Sequence, residues 1–307
     1  MMPFIERITP DAMIDRFKEI CLERHDVRVL TYILGQQKTL EWMHSIGVCK
    51  DKKLRSLIPP LPPLNLRKIT AAPELQEFLW TGLVDLERIM TLYEEAAGTS
   101  AEKHLKILDF GCGCGRMSRF LNNYSSTNSI YACDVNPDHI KWCQKNLIGV
   151  QYSQNNVLPP LPYHDQMFDL VYSLSVFTHL SESTSIEWLT EMRRILKSDG
   201  VLIITIHGQA ALQIIRDSIQ HQAMFTLDQE QVIETINKFK EKQFIFYNYD
   251  RSTLDIAKAG EDYGNTFIYP EYIKNKWGKL GFTILDIISG GLRGWQDIVI
   301  LRRTDLM

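Results

Sequence analysis

The residues best able to do chemistry stand in one run, ILDFGCGCGR at 107–116. Gly111, Gly113 and Gly115 let the main chain turn tightly and approach a ligand with no Cβ in the way. A helix opening after them offers free N–H groups to an anion. Asp109 stands two residues ahead of the first glycine, where a carboxylate suits a cationic amino group and would repel a pyrophosphate. A dinucleotide turn reads G-x-G-x-x-G. Arg116 occupies the sixth position here, so that pattern fails as written. Cys112 and Cys114 form a Cys-x-Cys pair, but no further Cys or His stands at a metal-ligand spacing, and no metal is expected.

A second acid, Asp134, ends the apolar run SIYACD (129–134) and precedes Val135-Asn136-Pro137. An acid there can accept both hydroxyls of a ribose, and its distance from the glycines fits one βαβ unit. Two histidines follow later strands. His179, in SVFTHL, titrates near neutrality in its ordinary state and is the candidate general base, with activity expected to rise through about pH 6–7. A helix-start histidine bonded to backbone is the plainer reading of the same residue. His207 ends a strand and is the alternative base or a substrate contact. Tyr263, Gly264 and Asn265 close a polar loop. Arg293 and Trp295 sit in a Gly-rich connection, where Arg with Trp suits an anionic or sugar-like ligand. Trp80 lies off the main stripe of its helix and is a candidate ligand contact.

These residues need a scaffold, and the chain alternates strands and helices from residue 105. LKILDF (105–110), SIYACD, GVQYSQ (149–154), FDLVYSL (168–174) and GVLIITI (200–206) read as strands, with helices at 115–123, 137–146 and 184–197. Near-continuous apolar strands with crossover helices imply a parallel sheet covered on both faces. FTILDII (282–288) and QDIVILRR (296–303), joined by about seven residues, must form an antiparallel hairpin. The expected fold is α/β: a Rossmann-like, seven-stranded, mostly parallel sheet closed by that hairpin.

Residues 208–265 interrupt the pattern with two helices (210–220 and 228–241), an aromatic stretch and a polar loop, and read as a substrate lid. Upstream, a helix over 73–98 carries one apolar stripe. IPPLPPLNL (58–66) excludes helix interior. Two helices before it, from about 11 and about 26, have too few apolar residues to fold alone. The division expected is 1–66 as a helical extension with a proline-rich linker, and 67–307 as the main domain.

Composition removes several classes. The chain has 307 residues and a net charge of −3, with 34 Lys and Arg against 37 Asp and Glu. Near-neutral charge disfavours a nucleic-acid partner. The longest clean apolar run, Val201 to Ile206, is far short of the roughly 20 residues of a membrane span, so no membrane partner is expected. No secretory leader is evident at the N-terminus. Six cysteines in a chain this long do not make a disulfide scaffold, which suggests a cytoplasmic protein.

The run D-x-G-x-G-x-G resembles motif I of the class I S-adenosylmethionine-dependent methyltransferases, and the likeness extends over 105–206 and the closing hairpin. It implies S-adenosylmethionine as cofactor. Asp109, Phe110, Gly111, Cys112, Gly113, Gly115 and Arg116 would then hold the methionine part, with a Cβ at residue 113 entering its space. Asp134 and Val135 would hold the ribose side. Asn155, Asn156 and Val157 stand where the family reads adenine, and the choice between the two amides stays open. FDLVYS looks like motif IV, placing Ser173 and Leu174 near the sulfonium. A D/N-P-P-Y run, a catechol-type metal set and the acidic loop of the protein-arginine enzymes are absent.

LPPLNLR, TFIYPEYIKNKW and GGLRGWQDIVILRR resemble a bacterial subgroup acting on natural products and glycans. The resemblance implies methyl transfer to a hydroxyl or carboxyl of a small molecule, natural product or glycan. A peptide terminus or an amine, a non-catalytic cofactor-binding protein and a nicotinamide-dependent oxidoreductase are the alternatives. In related small-molecule enzymes a histidine at the place of His179 pairs with substrate or with an aromatic hydroxyl from a lid. The oligomeric state is not set by the sequence.

Overall fold

The computed structural model describes residues 60–70, 74–98, 104–121, 129–222, 225–258 and 260–304. The two helices expected before residue 47 and the first two residues of the proline-rich run, Ile58 and Pro59, lie outside the described residues. The end of that run, Leu64–Leu66, was expected to stay out of a helix but opens one, with Pro63 as its N-cap, because no proline follows to break it.

A short helix, α1 (Leu64–Ile69), leads to the long α2 (Leu75–Ala97), which Gly98 closes with φ +61°. The apolar stripe of α2 is buried: Phe78, Leu79, Leu83, Leu86, Ile89, Met90 and Tyr93. Most of it packs on one face of the sheet, against Ile107, Leu170, Ile203 and Ile300. Burial of one such side chain contributes about 1.5–3 kcal/mol, so helix and sheet are one unit.

The strands are β1 (Lys106–Phe110), β2 (Ser129–Asp134), β3 (Val150–Gln154), β4 (Phe168–Ser173), β5 (Leu196–Ile206), β8 (Phe282–Leu292) and β9 (Gln296–Arg303). They form one seven-stranded sheet in the order β3-β2-β1-β4-β5-β9-β8. The first five pair in parallel, and β9 is antiparallel to both β5 and β8. This is the Rossmann-like sheet with a closing hairpin that the strand pattern predicts. Helices α3 (Ser118–Leu121), α4 (Pro137–Asn146) and α5 (Glu182–Ile195) lie between the strands.

Three boundaries differ from the sequence reading. The helix expected to reach 197 ends at Ile195, because Leu196 already pairs with Phe168 and β5 begins there. The helix expected over 115–123 starts only at Ser118, since three positive-φ glycines hold the chain in turns before it. The connection expected over 289–295 shrinks to a turn at 293–295, because β8 runs on to Leu292, opposite Gln296.

The 208–265 stretch folds around a small core of Ala211, Ile215, Phe225, Val232, Phe239 and Ile245, which Phe267 just beyond it completes. It contains α6 (Gln209–Asp217), α7 (Ile219–Gln222), α8 (Gln229–Lys242), β6 (Phe244–Asn248) and α9 (Arg251–Ala257). Then β7 (Gly264–Ile268) pairs antiparallel with β6. The other edge of β7 joins the segment after β4, through Gly264 N to His179 O at 2.8 Å and Thr266 N to Thr178 O at 2.9 Å. The insertion is thereby stitched to the end of β4. After β7, α10 (Pro270–Lys276) and a 3₁₀ turn, Trp277–Leu280, return the chain to the sheet.

Candidate active site

The carboxyl ends of the parallel strands open into a cavity of about 510 Å³. Ligands of open α/β sheets bind at this end, where strand order reverses around β1 and β4. Asp109, Phe110, Gly111, Cys112, Gly113, Arg116, Asp134, Val135, Asn155, Asn156, Val157 and Leu174 line it. His179, His207, Tyr263, Asn265, Arg293 and Trp295 line the same cavity. Residues more than 180 positions apart are therefore brought together. Gly115 and Ser173 are not among the lining residues, and the side chain of Trp80 lies outside the described ones.

The glycine turn is built by backbone geometry. Gly111, Gly113 and Gly115 have φ of +81°, +54° and +75°, where a side chain is strained. The turn is tied to β2 by Gly111 N and Cys112 N, which both donate to Cys133 O, at 2.8 and 3.0 Å. Each missing Cβ has a protein neighbour. At Gly111 it would meet Val176 Cγ2 at 2.3 Å, at Gly113 Thr70 Cγ2 at 2.6 Å, and at Gly115 Leu147 Cδ1 at 2.5 Å. Gly113 was expected to leave room for a ligand; its open face is instead filled by the Thr70 methyl at the end of α1. Gly115 serves close packing of the turn on the end of α4. Ser173 is fully buried in β4 with its Oγ unpartnered.

Asp109 is 4% exposed and its Oδ2 has no hydrogen-bond partner. Burial pushes its pKa up to about 7, with the charge of Arg116 working against the shift. An unpartnered buried carboxylate at a cavity wall is suited to a cationic group. Asp134 is differently placed. Its Oδ2 accepts from Gly113 N and its Oδ1 from Asn136 N, each at 2.8 Å. Each oxygen keeps a lone pair for a further donor. His139, 2% exposed, lies with Nδ1 3.6 Å from Asp134 Oδ1, and neither ring nitrogen has a hydrogen-bond partner. Of the two amides, Asn155 is the buried one; its Nδ2 donates to Asn156 O at 2.7 Å and its Oδ1 is unpartnered.

His179 is held by the insertion. Its Nδ1 is 2.8 Å from Gly264 O and 3.2 Å from the Tyr249 hydroxyl. That hydroxyl donates to Asn265 Oδ1 at 3.1 Å, while Asn265 Nδ2 donates to Phe225 O. A carbonyl only accepts, so Nδ1 carries the proton and Nε2 holds the lone pair. Both ends of the Asn265 amide are thus occupied by the protein. Tyr263 packs against the imidazole at 5.0 Å between ring centroids. Enclosure lowers the His179 pKa to about 4, which corrects the neutral titration expected from sequence. His207 is lowered further, to about 3, by burial and then by His179, whose ring stands 6.0 Å away.

Asp85 of α2 is the main residue that the sequence reading missed. Its side chain is fully buried, 2.7 Å from Arg116 Nη1 and 2.9 Å from Arg293 Nε. The signal was present: Asp85 lies seven residues after Phe78 and four before Ile89, a charge on the apolar face of a helix. Such a charge requires a partner. Tyr249 and Trp188, which also line the cavity, carried no such signal.

Residues 107–200 match the family model described as a methyltransferase domain. A malonyl-[acyl-carrier protein] O-methyltransferase of Halalkalibacterium halodurans is 23% identical over 203 residues, covering 64% of this chain and 73% of that protein. These matches support a class I S-adenosylmethionine-dependent methyltransferase. The methyltransferase cofactor is S-adenosylmethionine. A probable phthiotriol/phenolphthiotriol dimycocerosates methyltransferase of Mycobacterium ulcerans is 28% identical over 113 residues, covering 36% of this chain and 43% of that protein. This second match thus spans less than half of the relative's length. Among solved structures, a putative S-adenosylmethionine-dependent methyltransferase from Listeria monocytogenes has 12% identity and a TM-score of 0.48, over 74% of this chain and 99% of that one. No helix among the described residues of the methyltransferase is long and apolar enough to cross a membrane.

Proposed function

We propose that this methyltransferase acts on a hydroxyl group of a small molecule, natural product or glycan, with His179 as general base. The observation that carries the reading is the fixed tautomer of His179: Nδ1 is committed to Gly264 O, and Nε2 makes no hydrogen bond among the described residues. A neutral imidazole with a free Nε2 at the cavity wall can take a hydroxyl proton.

Asp109 holds the cofactor's amino group, the two oxygens of Asp134 hold its ribose, and Asn155 and Val157 border its adenine. Bound there, the cofactor supplies an electrophilic methyl on a sulfonium. Leu174 and the residues after β4 place the acceptor oxygen, and Tyr263 and Trp295 keep water from it. Residues 208–265 act as the substrate lid of a domain running from 67 to 307, with Tyr249 and Asn265 fixing the base. The name of the 23%-identical relative, an O-methyltransferase of a malonyl group, supports an oxygen acceptor, there a carboxyl oxygen, so the choice of a hydroxyl rests on His179. Its cofactor-end residues would also serve a carboxyl acceptor, but that needs no base and leaves the His179 arrangement without purpose.

Single-turnover transfer with the cofactor bound tests the base. His179→Ala is expected to slow transfer by about 10²–10⁴-fold at unchanged cofactor affinity. Full activity of that variant would exclude His179 as base and move the reading to a carboxyl acceptor.

A further inference from the structure

We propose that Arg293, braced by Asp85, is an anion-binding subsite for the methyl acceptor, which therefore carries a carboxylate or phosphate group in addition to the atom that is methylated. The inference rests on the methyl-transfer reading and extends it to the acceptor's chemistry.

Arg116 and Arg293 are the only arginine or lysine side chains among the described residues lining the cavity. Both contact one carboxylate, that of the fully buried Asp85. Asp85 balances one of the two guanidinium charges; Asp109, also in the lining, interacts with Arg116, which leaves Arg293 as the cation without a second carboxylate of its own among these contacts. Asp85 also fixes how each guanidinium is presented. Arg116 is hydrogen-bonded to it through Nη1, whereas Arg293 makes an ionic contact, Nε to Oδ1 at 2.9 Å, without hydrogen-bond geometry. With Nε the nitrogen nearest Asp85, the Nη1 and Nη2 edge makes no hydrogen bond among the described residues and is left as a planar fork. A fork of that kind matches a carboxylate or phosphate in a bidentate way.

The turn that carries Arg293 is rigid. Arg293 has φ +53° and Gly294 +80°. Gly294 N bonds Gly290 O at 2.9 Å, and Trp295 N bonds Leu292 O at 3.0 Å. Asp297 pins the same turn through Gly290 N at 3.0 Å. A guanidinium on a turn closed in this way, with its Nε beside a buried carboxylate, pays less ordering entropy when an anion arrives. Trp295 adds an aromatic wall two residues on. The two arginines divide by position. Arg116 follows the glycine turn directly and serves the cofactor's own carboxylate, whereas Arg293 arrives from the opposite end of the chain, beside Trp295.

The test is calorimetric titration of the protein saturated with S-adenosylhomocysteine. Benzoate, phenyl phosphate and the neutral benzamide are the probes, on wild type, Arg293→Gln and Arg293→Lys. Expected is binding of benzoate or phenyl phosphate at least about tenfold tighter than benzamide. Arg293→Gln should remove that preference, with S-adenosylhomocysteine affinity within about twofold, which also shows the variant folded. Arg293→Lys keeps the charge beside Asp85 but not the fork, and should lower the preference several-fold. The stronger of the two anions identifies the acceptor's group. No preference in wild type, or a preference that survives in Arg293→Gln, would overturn the proposal. So would a loss of S-adenosylhomocysteine affinity with the preference intact, since Arg293 would then belong to the cofactor. Methyl transfer is measured separately with labelled cofactor, so failure of the anion site leaves that reading standing.

Discussion

Nδ1 of His179 lies 2.8 Å from the carbonyl oxygen of Gly264, a residue 85 positions further along the chain. The contact joins the segment after β4 to the first residue of β7, and it determines which imidazole nitrogen can act on a substrate. It also encloses the ring, which lowers the His179 pKa from 6.5 to about 4. A base with that pKa is already neutral over the whole physiological range. Wild-type activity is therefore expected to be level between about pH 6 and 8 where this group is concerned, and to fall only as pH approaches about 4. A pH–rate profile checks this; a rise centred near pH 6.5 would mean that the ring is not enclosed as described.

The same shift has a consequence for stability. The folded pKa of His179 lies below its unfolded value, so the unfolded chain binds the proton more readily. Its stabilising contribution is fully present above about pH 6.5 and is lost as pH falls toward about 4. His207, lowered to about 3, acts in the same direction. Melting temperature should decline through that window, and the decline should be shallower in His179→Gln. An unchanged slope in the variant would contradict the assignment.

Asp109 is shifted the other way, upward. Burial holds its pKa near 7, so part of the population is protonated at neutrality before ligand arrives. A cationic amino group favours the carboxylate, so binding of S-adenosylmethionine should release protons and strengthen as pH rises through about 7. Calorimetry in two buffers of different ionisation heat measures the release directly. Asp109→Asn should abolish it, and an identical release in that variant would point to another group.

Asp134 should matter for folding as well as binding. A strand-end acid with a free side chain would cost the fold little, but this one accepts from Gly113 N and Asn136 N. Asp134→Ala is therefore expected to destabilise the protein by about 1–3 kcal/mol, since two main-chain donors lose their acceptor. It should also weaken cofactor binding roughly 10–150-fold. Thermal melts and titration of the same preparation separate the two effects; unchanged affinity would remove the ribose assignment.

A double substitution tests the packing of the glycine turn. A Cβ at residue 113 would stand 2.6 Å from Thr70 Cγ2, on a backbone with φ +54°. Gly113→Ala should destabilise by about 1–3 kcal/mol through overpacking and strain. Thr70→Ser removes only the offending methyl and keeps a hydroxyl where Thr70 Oγ1 bonds Arg67 O. Adding Thr70→Ser should recover part of the loss. Strict additivity of the two changes would show that the residues do not meet.

Much of this architecture was legible because it follows local rules. Apolar runs ending in Asp109 and Asp134 read as buried parallel strands, and three glycines in alternate positions announced the turn between β1 and α3. The β6–β7 sheet was not legible. FIFYN and GNTFI are separated by a helix and loops, and the outer edge of β7 is satisfied by Thr178 and His179 backbone, a pairing that no periodicity reveals. The substitutes for an expected ligand contact were hidden for a related reason. Asn265 and Gly113 lie where sequence places them, but their near neighbours, Phe225 and Thr70, come from segments whose approach is set by tertiary packing. Asp85 shows the reverse case. Its carboxylate interrupts an apolar stripe, and that one exception links Arg116 to Arg293.

The central claim is methyl transfer to a hydroxyl with His179 as base. Incubating the protein with deuteromethyl-labelled S-adenosylmethionine and metabolite extracts, followed by mass spectrometry, tests it most directly. The account predicts a labelled methyl ether, formed one-to-one with S-adenosylhomocysteine by the wild type and at least about 100-fold more slowly by His179→Ala. Label found only in methyl esters at equal rates for both proteins, or cofactor that binds without ever losing its methyl group, would contradict it.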